Sequence, residues 1–254
     1  MKRTLFIVAE TQKVPFDELT RYCRALQIQV SEHVKPHWNT DAMIIASNGQ
    51  NLPPNAEIIT IMDTIPNPRV WGYHEVKNGV PRGYVKYSEL WTMITSHETI
   101  ETLIDPFADR FAVGEKIDLT TGKIKPRDLN PFNNVRYLVE IAGPVQYQTN
   151  AYFIDGFLMS DFVLPAYFDF TTDPTKQYSF TGAIKEPLAI LTDGYISYKR
   201  LGAWYSAFQT TNGVTIERLR GFENLTGNQK SRIAQFAAGG VAIAGITAAI
   251  RANK

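Results

Sequence analysis

The stretch SELWTMITSHETIETLI, residues 88–104, predicts the helix on which the fold depends. Its apolar residues fall largely at helical spacing, and Asp105-Pro106 closes the segment. The run SHETIE, residues 96–101, places polar side chains in the middle of this helix. A helix with both an apolar pattern and a polar centre is expected to pack in the interior and to carry a functional group.

The chain upstream of this helix alternates strand and helix patterns. Apolar, β-branched runs predict strands at 5–9, 41–47, 56–62, 70–76 and 83–87, and helical spacing predicts a helix at 16–30. Asn78-Gly79 between the last two strands favours a hairpin. These elements predict an α+β fold in which a mixed sheet is followed by the helix at 88–104. The strand at 83–87 is expected to be an edge of that sheet.

The chain downstream is rich in short strand patterns separated by glycine and proline. Strands are predicted at 111–113, 135–141, 152–154, 158–163, 189–191 and 195–198, which indicates an antiparallel, loop-rich part. We therefore predict one domain over 1–200 and a C-terminal extension over 201–254.

The extension is expected to end in a helix over 228–253. That segment lacks proline, and 236–250 lacks charge and is rich in glycine and alanine. Small residues let helices approach closely, so the segment suits either a protein partner or packing on its own domain. Its uncharged run is shorter than the roughly 20 residues that span a bilayer, which argues against a membrane.

Composition narrows the functional classes. The chain has 26 basic and 25 acidic residues, a formal net charge of +1, and no basic excess of the kind that nucleic-acid binding requires. The single cysteine, Cys23, excludes an intrachain disulfide and a four-cysteine metal site. The apolar run after Met1 is too short for a secretory core, so we expect a cytoplasmic location.

The polar centre of the helix has the spacing of a metal site. His97 and Glu101 are four residues apart and share a helix face, and Glu98 adjoins that face. In His-Glu-x-x-His zinc peptidases two such helix residues bind zinc and the glutamate acts as general base. A carboxylate is an acceptable zinc ligand. The pattern predicts His97 and Glu101 as ligands of Zn²⁺ or another divalent ion, and Glu98 as the base.

Three residues compete for the remaining role of third ligand. We favour Glu140, because a lone acid in an apolar strand pattern is costly to bury without a partner. Asp105 is an alternative ligand, a helix cap or a group that orients His97. His74 either reaches the helix as a ligand or oxyanion-stabilising group, or pairs with Glu75 or a backbone group.

The block SHETIETLIDP, residues 96–106, resembles a Ser-His-Glu-x-x-Glu-x-x-x-Asp-Pro segment in a family of bacterial and tailed-phage proteins. In that family a Gly-Tyr-His segment precedes the block, as at 72–74, and later segments look like 159–168 and 193–195. The resemblance covers about residues 25–198. It implies a metallopeptidase-like, zincin-like fold and a designed metal site, and it also implies a role in phage particles.

Two functions are therefore expected. The first is a zinc peptidase that acts on a peptide or protein substrate lying along the strand at 83–87. The second is a virion structural or assembly protein that has a metallopeptidase-like fold and binds protein partners through residues 228–253. The second would place the protein in a virion instead of the cytoplasm.

Overall fold

The first half of the chain forms a sheet with helices packed on it. A computed structural model describes residues 3–68, 70–114 and 135–219. The elements of the first half are β1 (Arg3–Ala9), α1 (Phe16–Ile28), a π-helical segment (Gln29–Val34), α2 (Lys35–Trp38), β2 (Ala42–Ser47), β3 (Glu57–Met62), β4 (Gly72–Lys77), β5 (Val80–Lys86) and α3 (Trp91–Ile104). The strands and helices predicted from sequence are found here. The helix predicted at 16–30 is α1 followed by the π-helical segment, which extends it to Val34.

The strand order of this first sheet is β2-β1-β3-β5-β4. Its neighbours are parallel except β4, which runs antiparallel to β5. The connecting turn has positive φ at Asn78 (53°) and Gly79 (78°), as a two-residue hairpin turn requires. The expectation that residues 83–87 form an edge is wrong. β5 pairs on both sides, and its hairpin partner β4 is the edge strand.

The second half forms an antiparallel sheet of the order β12-β11-β10-β7-β6. Its strands are β6 (Phe111–Gly114), β7 (Val135–Leu138), β10 (Tyr195–Arg200), β11 (Ala203–Thr210) and β12 (Gly213–Leu219), and a separate hairpin joins β8 (Tyr152–Ile154) to β9 (Phe157–Met159). The predicted domain boundary after residue 200 lies between β10 and β11, which are paired throughout. The predicted helix at 228–253 lies outside the described residues.

Three predicted strands of this half differ from the structure. β7 ends at Leu138 and β9 at Met159, and residues 189–191 form no strand. Beyond β9, Val163 makes only an isolated bridge to Ser179. The apolar residues of these segments are buried or partly buried without regular strand partners, and an apolar run by itself does not reveal which partners bury it.

The long helix α3 lies between two hydrophobic cores. Trp91, Met93 and Ile94 pack with α1 and the first sheet, whereas Ile100 and Ile104 pack with the second sheet. All fourteen residues of α3 are buried. The described part of the chain thus has mixed α and β content, with several sheets and one long helix, as the α+β class requires. None of its helices is both long and apolar enough to cross a membrane.

Cys23 on α1 gives a direct test of this packing. The thiol is 4% exposed, and burial raises its pKa to about 12. The thiolate is the reactive form, and at pH 8 it amounts to about one part in ten thousand. We expect Cys23 in the folded protein to react very slowly with DTNB at pH 8 and completely in urea. Stoichiometric labelling within minutes without urea would contradict this packing.

Candidate metal centre

Four buried polar side chains meet between β4 and the middle of α3. His74 comes from β4, and the other three, His97, Glu98 and Glu101, come from α3. Nδ1 of His74 lies 3.4 Å from Oε2 of Glu98 and 3.9 Å from Oε2 of Glu101. Nε2 of His97 lies 3.4 Å from the same Glu101 oxygen. The four side chains are between 2% and 11% exposed, so water screens their interactions weakly.

The local fold explains why His74 reaches α3. Neighbouring residues of a strand point to opposite faces, so Glu75 faces away from His74. Of the two readings of His74, the structure therefore supports contact with the helix, and the pairing with Glu75 is not observed. The acids Glu98 and Glu101 are three residues apart on α3 and both approach the same imidazole.

Glu101 is held on both of its carboxylate oxygens. Oε1 accepts hydrogen bonds from the backbone N–H groups of Ala142 (3.2 Å) and Gly143 (3.1 Å). Oε2 faces the imidazoles of His74 and His97. Burial by itself raises the pKa of Glu101, but the histidines and the Ala142 N–H outweigh burial and lower it. Glu101 is therefore a fixed anionic group in the interior.

The pKa values of His74 and His97 are raised, whereas that of Glu101 is lowered. Burial by itself lowers the pKa of both imidazoles, because it disfavours their charged form. The carboxylates outweigh burial, so the pKa of His74 is raised, chiefly by Glu98, and the pKa of His97 is raised to about 9, chiefly by Glu101. Protonated imidazoles thus balance the charge of the buried carboxylates.

One set of side chains converges as metal ligands do. His74, Glu98 and Glu101 each offer a ligand atom, and these atoms lie within 4.8 Å of one another. All three residues are buried. Among residues 3–68, 70–114 and 135–219, no other group of three or more histidine, cysteine or acidic residues has this geometry. This group could bind a metal ion, and nothing in its geometry identifies the metal.

The third ligand favoured from sequence, Glu140, follows β7 and is 3% exposed. Neither of its carboxyl oxygens has a hydrogen-bond partner. Burial first, and then repulsion from Glu101, holds the pKa of Glu140 well above its usual range. The charge of Glu101 therefore contributes to the raised pKa of Glu140, but Glu140 does not belong to the group of His74, Glu98 and Glu101. Its role as a ligand together with His97 stays a prediction.

The rival ligand, Asp105, closes the loop after α3. Its carboxylate accepts hydrogen bonds from the backbone N–H groups of Asp109 (3.0 Å) and Arg110 (3.1 Å). Burial raises the pKa of Asp105 to about 6 against these bonds. These bonds close the loop after α3, and the roles of Asp105 as a metal ligand, as a helix cap or as the group that orients His97 stay predictions.

A hydrogen-bond chain fixes α3 next to the site. The Ser96 hydroxyl donates to Oε1 of Gln29 (2.8 Å) and accepts from the backbone N–H of Ser160 (3.0 Å). Nε2 of Gln29 donates to the Ser160 carbonyl (2.9 Å). All three residues are buried, and Gln29 begins the π-helical segment. This chain ties the residue before His97 to two other parts of the fold.

Sequence reasoning missed three contributors to the site. The N–H groups of Ala142 and Gly143 bind Glu101, and the ring of Tyr195 packs on Gly143, where an added Cβ would lie 2.9 Å from its Cζ. Burial, and then Glu140, Glu101 and Glu98, raise the pKa of Tyr195 well above its usual range. The sequence signals at these positions, Gly143 before Pro144 and Gly194 before Tyr195, indicate only turns.

Gly72 on β4 leaves the space that Glu98 occupies. An added Cβ would lie 2.6 Å from Cγ2 of Ile94 and 2.7 Å from Oε1 of Glu98. Such overpacking costs about 1–3 kcal/mol. We expect Gly72→Ala to lower the urea midpoint, because Ile94 and Glu98 must move.

The exposed Lys77 on the same strand supplies the control for Gly72. Lys77→Ala should leave the urea midpoint unchanged. If Gly72→Ala unfolds at the same urea concentration as the wild-type chain, Glu98 is not packed against β4 in this way.

Comparisons with protein-family models, with curated proteins and with solved structures found no match for this chain.

Proposed function

We propose that this chain is a zinc-dependent, peptidase-like protein with a zincin-like domain. The observation that carries the proposal is the buried convergence of His74, Glu98 and Glu101 between an edge strand and a helix. The mixed sheet followed by a helix with the polar centre is also what the zincin-like expectation requires.

The donor set fits a divalent ion. One imidazole nitrogen and two carboxylate oxygens are ligands that zinc accepts, and such an oxygen-rich set also suits Mn²⁺. The 3.4 Å from His74 Nδ1 to Glu98 Oε2 matches the roughly 3.4 Å between two ligands about 2.1 Å from one tetrahedral ion. Nδ1 of His74 is buried beside the carboxylate oxygens of Glu98 and Glu101, at 3.4 Å and 3.9 Å. Two carboxylates balance the charge of one divalent ion.

In the proposed hydrolysis, the ion and the residues of the chain have different roles. When bound, a divalent ion supplies a Lewis acid that polarises a peptide carbonyl. In the ligand set predicted from sequence, in which Glu98 does not bind the ion, Glu98 would take a proton from water. His97 has the most exposed side chain of the four, at 11%, and so lies nearest to solvent. An extended peptide would pair with β4, the last strand of the described sheet.

Two ligand assignments follow, and variants separate them. In the convergent set, His74, Glu98 and Glu101 bind the ion. In the set predicted from sequence, His97, Glu101 and Glu140 bind it and Glu98 is the base. His74→Ala should remove the ion in the first case, and His97→Ala or Glu140→Gln should remove it in the second.

The test combines metal analysis with hydrolysis. The purified full chain is stripped with EDTA, loaded with Zn²⁺ and desalted, and its metal content is measured by mass spectrometry. Peptidase activity is measured on a mixed peptide library, with Glu98→Gln as the test variant and the exposed Glu89→Gln as its control. We expect stoichiometric zinc, and hydrolysis that Glu98→Gln lowers by at least about a hundredfold. No bound metal in the wild-type chain would refute the proposal.

A second function, a virion structural or assembly protein, is favoured by the burial of the site. His74, Glu98 and Glu101 side chains are at most 7% exposed, and structural zinc sites are closed whereas catalytic ones keep an open position. In that case zinc raises the melting temperature without any peptidase activity. Truncation after residue 227 should then prevent assembly and leave the domain folded.

A further inference from the structure

We propose that the protonation state of His33, a half-buried histidine of the π-helical segment, controls the hydrogen bonds that orient α3 beside the candidate metal centre. Neutral His33 keeps these bonds in place, and protonated His33 releases them. The inference goes beyond the proposed function, because the bonds involve none of the three convergent residues His74, Glu98 and Glu101. It gives the fold a pH-sensitive connection between a partly exposed segment and the middle of α3.

A continuous series of hydrogen bonds joins His33 to α3. Nδ1 of His33 lies 3.0 Å from the Tyr152 hydroxyl, and Nε2 of Gln29 donates to the same hydroxyl at 3.2 Å. Oε1 of Gln29 accepts a hydrogen bond from the Ser96 hydroxyl at 2.8 Å. Oγ of Ser96 accepts in turn from the backbone N–H of Ser160 at 3.0 Å. Two side chains, those of Tyr152 and Gln29, therefore connect the imidazole to a residue in the middle of α3.

The partners fix the direction of each of these bonds. Ser96 Oγ accepts from the Ser160 N–H, so the hydroxyl proton of Ser96 goes to Oε1 of Gln29. Nε2 of Gln29 has two protons, which it donates to the Ser160 carbonyl (2.9 Å) and to the Tyr152 hydroxyl. Because Tyr152 accepts from Gln29, its own proton goes to Nδ1 of His33. An imidazole that accepts at Nδ1 carries its proton on Nε2 and is neutral.

Protonation of His33 is incompatible with this arrangement of donors. Nδ1 of a protonated imidazole is a donor, so His33 and Gln29 then both direct a proton at the Tyr152 oxygen, and the Tyr152 proton loses its acceptor. Tyr152 cannot compensate by losing that proton, because burial raises its pKa. His33 is only half buried, so its charged form turns toward solvent and leaves Tyr152. Tyr152 and Gln29 then change partners, and the contact of Gln29 with Ser96 loosens.

The surroundings of His33 favour its neutral form. The imidazole stacks on Phe180, with 4.6 Å between ring centroids, and burial lowers its pKa against the opposing charge of Glu32 on the same segment. A hydrogen bond to the neutral imidazole lowers the pKa further. The other titratable groups nearby are Tyr152 on β8, which donates to His33, and His37 on α2, whose ring contacts Phe180 at 6.4 Å. The release therefore takes place below pH 6.5, the ordinary pKa of histidine.

The experiment follows both ends of the hydrogen-bond series by NMR while the pH is lowered. In the full-length protein, the Cε1–H resonance of His33 reports its protonation, and the backbone N–H resonance of Ser160 reports the bond to Ser96. We expect both resonances to shift with one common midpoint below pH 6.5. Tyr152→Phe keeps the aromatic ring and removes the hydroxyl. In this variant the midpoint of His33 should rise toward pH 6.5, and the Ser160 resonance should no longer follow it.

Two histidine variants complete the test. His33→Gln does not titrate, so the Ser160 resonance should show no shift at the wild-type midpoint, whereas His37→Gln changes an exposed neighbour and should behave as the wild-type chain does. Circular dichroism checks folding, and if Tyr152→Phe unfolds, the wild-type and His33→Gln titrations decide. A Ser160 resonance that stays fixed while His33 titrates overturns the inference, and so does an unchanged Ser160 shift in His33→Gln. Either result leaves the metal-dependent proposal standing, because metal analysis tests it separately.

Discussion

Replacing Glu101 by alanine is expected to destabilise the metal-free protein by about 3–5 kcal/mol. The side chain is 1% exposed, and its loss leaves several partners without an acceptor. The N–H groups of Ala142 and Gly143 become unsatisfied donors in the interior, and His97 loses the carboxylate that balances its charge. Breaking a buried ion pair from one side leaves such uncompensated groups, and this accounts for the size of the effect.

Urea unfolding in EDTA measures the Glu101→Ala effect. Glu101→Gln keeps the shape of the side chain and one acceptor oxygen for the backbone, so it should cost less than alanine does. Glu89 is exposed just before α3, and Glu89→Ala should change stability by no more than about 0.5 kcal/mol. A loss below about 1 kcal/mol in Glu101→Ala would mean that the carboxylate does not anchor the segment at 142–143.

Local patterns predicted most of the first half of the fold. The strands and α1 follow from short-range apolar periodicity, and the β4–β5 hairpin follows from Asn78-Gly79. The edge of the sheet could not be predicted in the same way. Strand order depends on contacts between distant segments, and here β5 returns from the hairpin to pair with β3, which leaves β4 outside. A sequence pattern carries no direct information on that choice.

The downstream half was less predictable for a related reason. β11 and β12 continue the antiparallel sheet from β10, although the sequence suggested a separate extension beginning at residue 201. Residues 160–163 and 189–191 have strand-like composition, but they lie outside the named strands and are buried and partly buried, respectively. The apolar residues in both cases satisfy the same burial requirement through different partners, and composition does not select among them.

The helix motif found most of the site, since a fixed spacing determines which residues share a face. His97, Glu98 and Glu101 followed from that spacing, and the His97–Glu101 contact lies within one turn of α3. His74 was only one of several candidates, because its contact with α3 depends on where an edge strand packs. Gln29 gave no signal at all. Its amide binds Ser96 across 67 positions of sequence, which no local pattern can reveal.

The polar residues of α3 also explain why its pattern was not strongly amphipathic. A helix packed on one core shows one apolar stripe, whereas α3 is buried on all sides between two cores. Its polar residues are therefore in the interior and need partners. Ser96 finds Gln29 and Thr95 bonds to the Trp91 carbonyl, but the hydroxyls of Thr99 and Thr102 have none. Such an arrangement is costly, and proteins retain it mainly at functional sites.

The stability of the metal-free protein should fall by about 3 kcal/mol as the pH rises from 6.5 to 9. The pKa of His97 is raised from its ordinary value of 6.5 to about 9, so the folded state binds this proton more tightly than the unfolded state does. The stabilisation from the His97–Glu101 pair is therefore complete below pH 6.5. It is lost as the pH rises through 9, where the imidazole becomes neutral. The pKa of His74 is also raised and acts in the same direction.

Urea unfolding in EDTA at intervals from pH 6 to 9.5 measures this dependence, and two histidine variants identify its source. His97→Gln should flatten the curve, because the glutamine does not titrate. His37→Gln changes an exposed histidine outside the site and should leave the slope unchanged. A wild-type curve that runs parallel to that of His97→Gln across this range would show that His97 does not hold a proton against Glu101 in the folded protein.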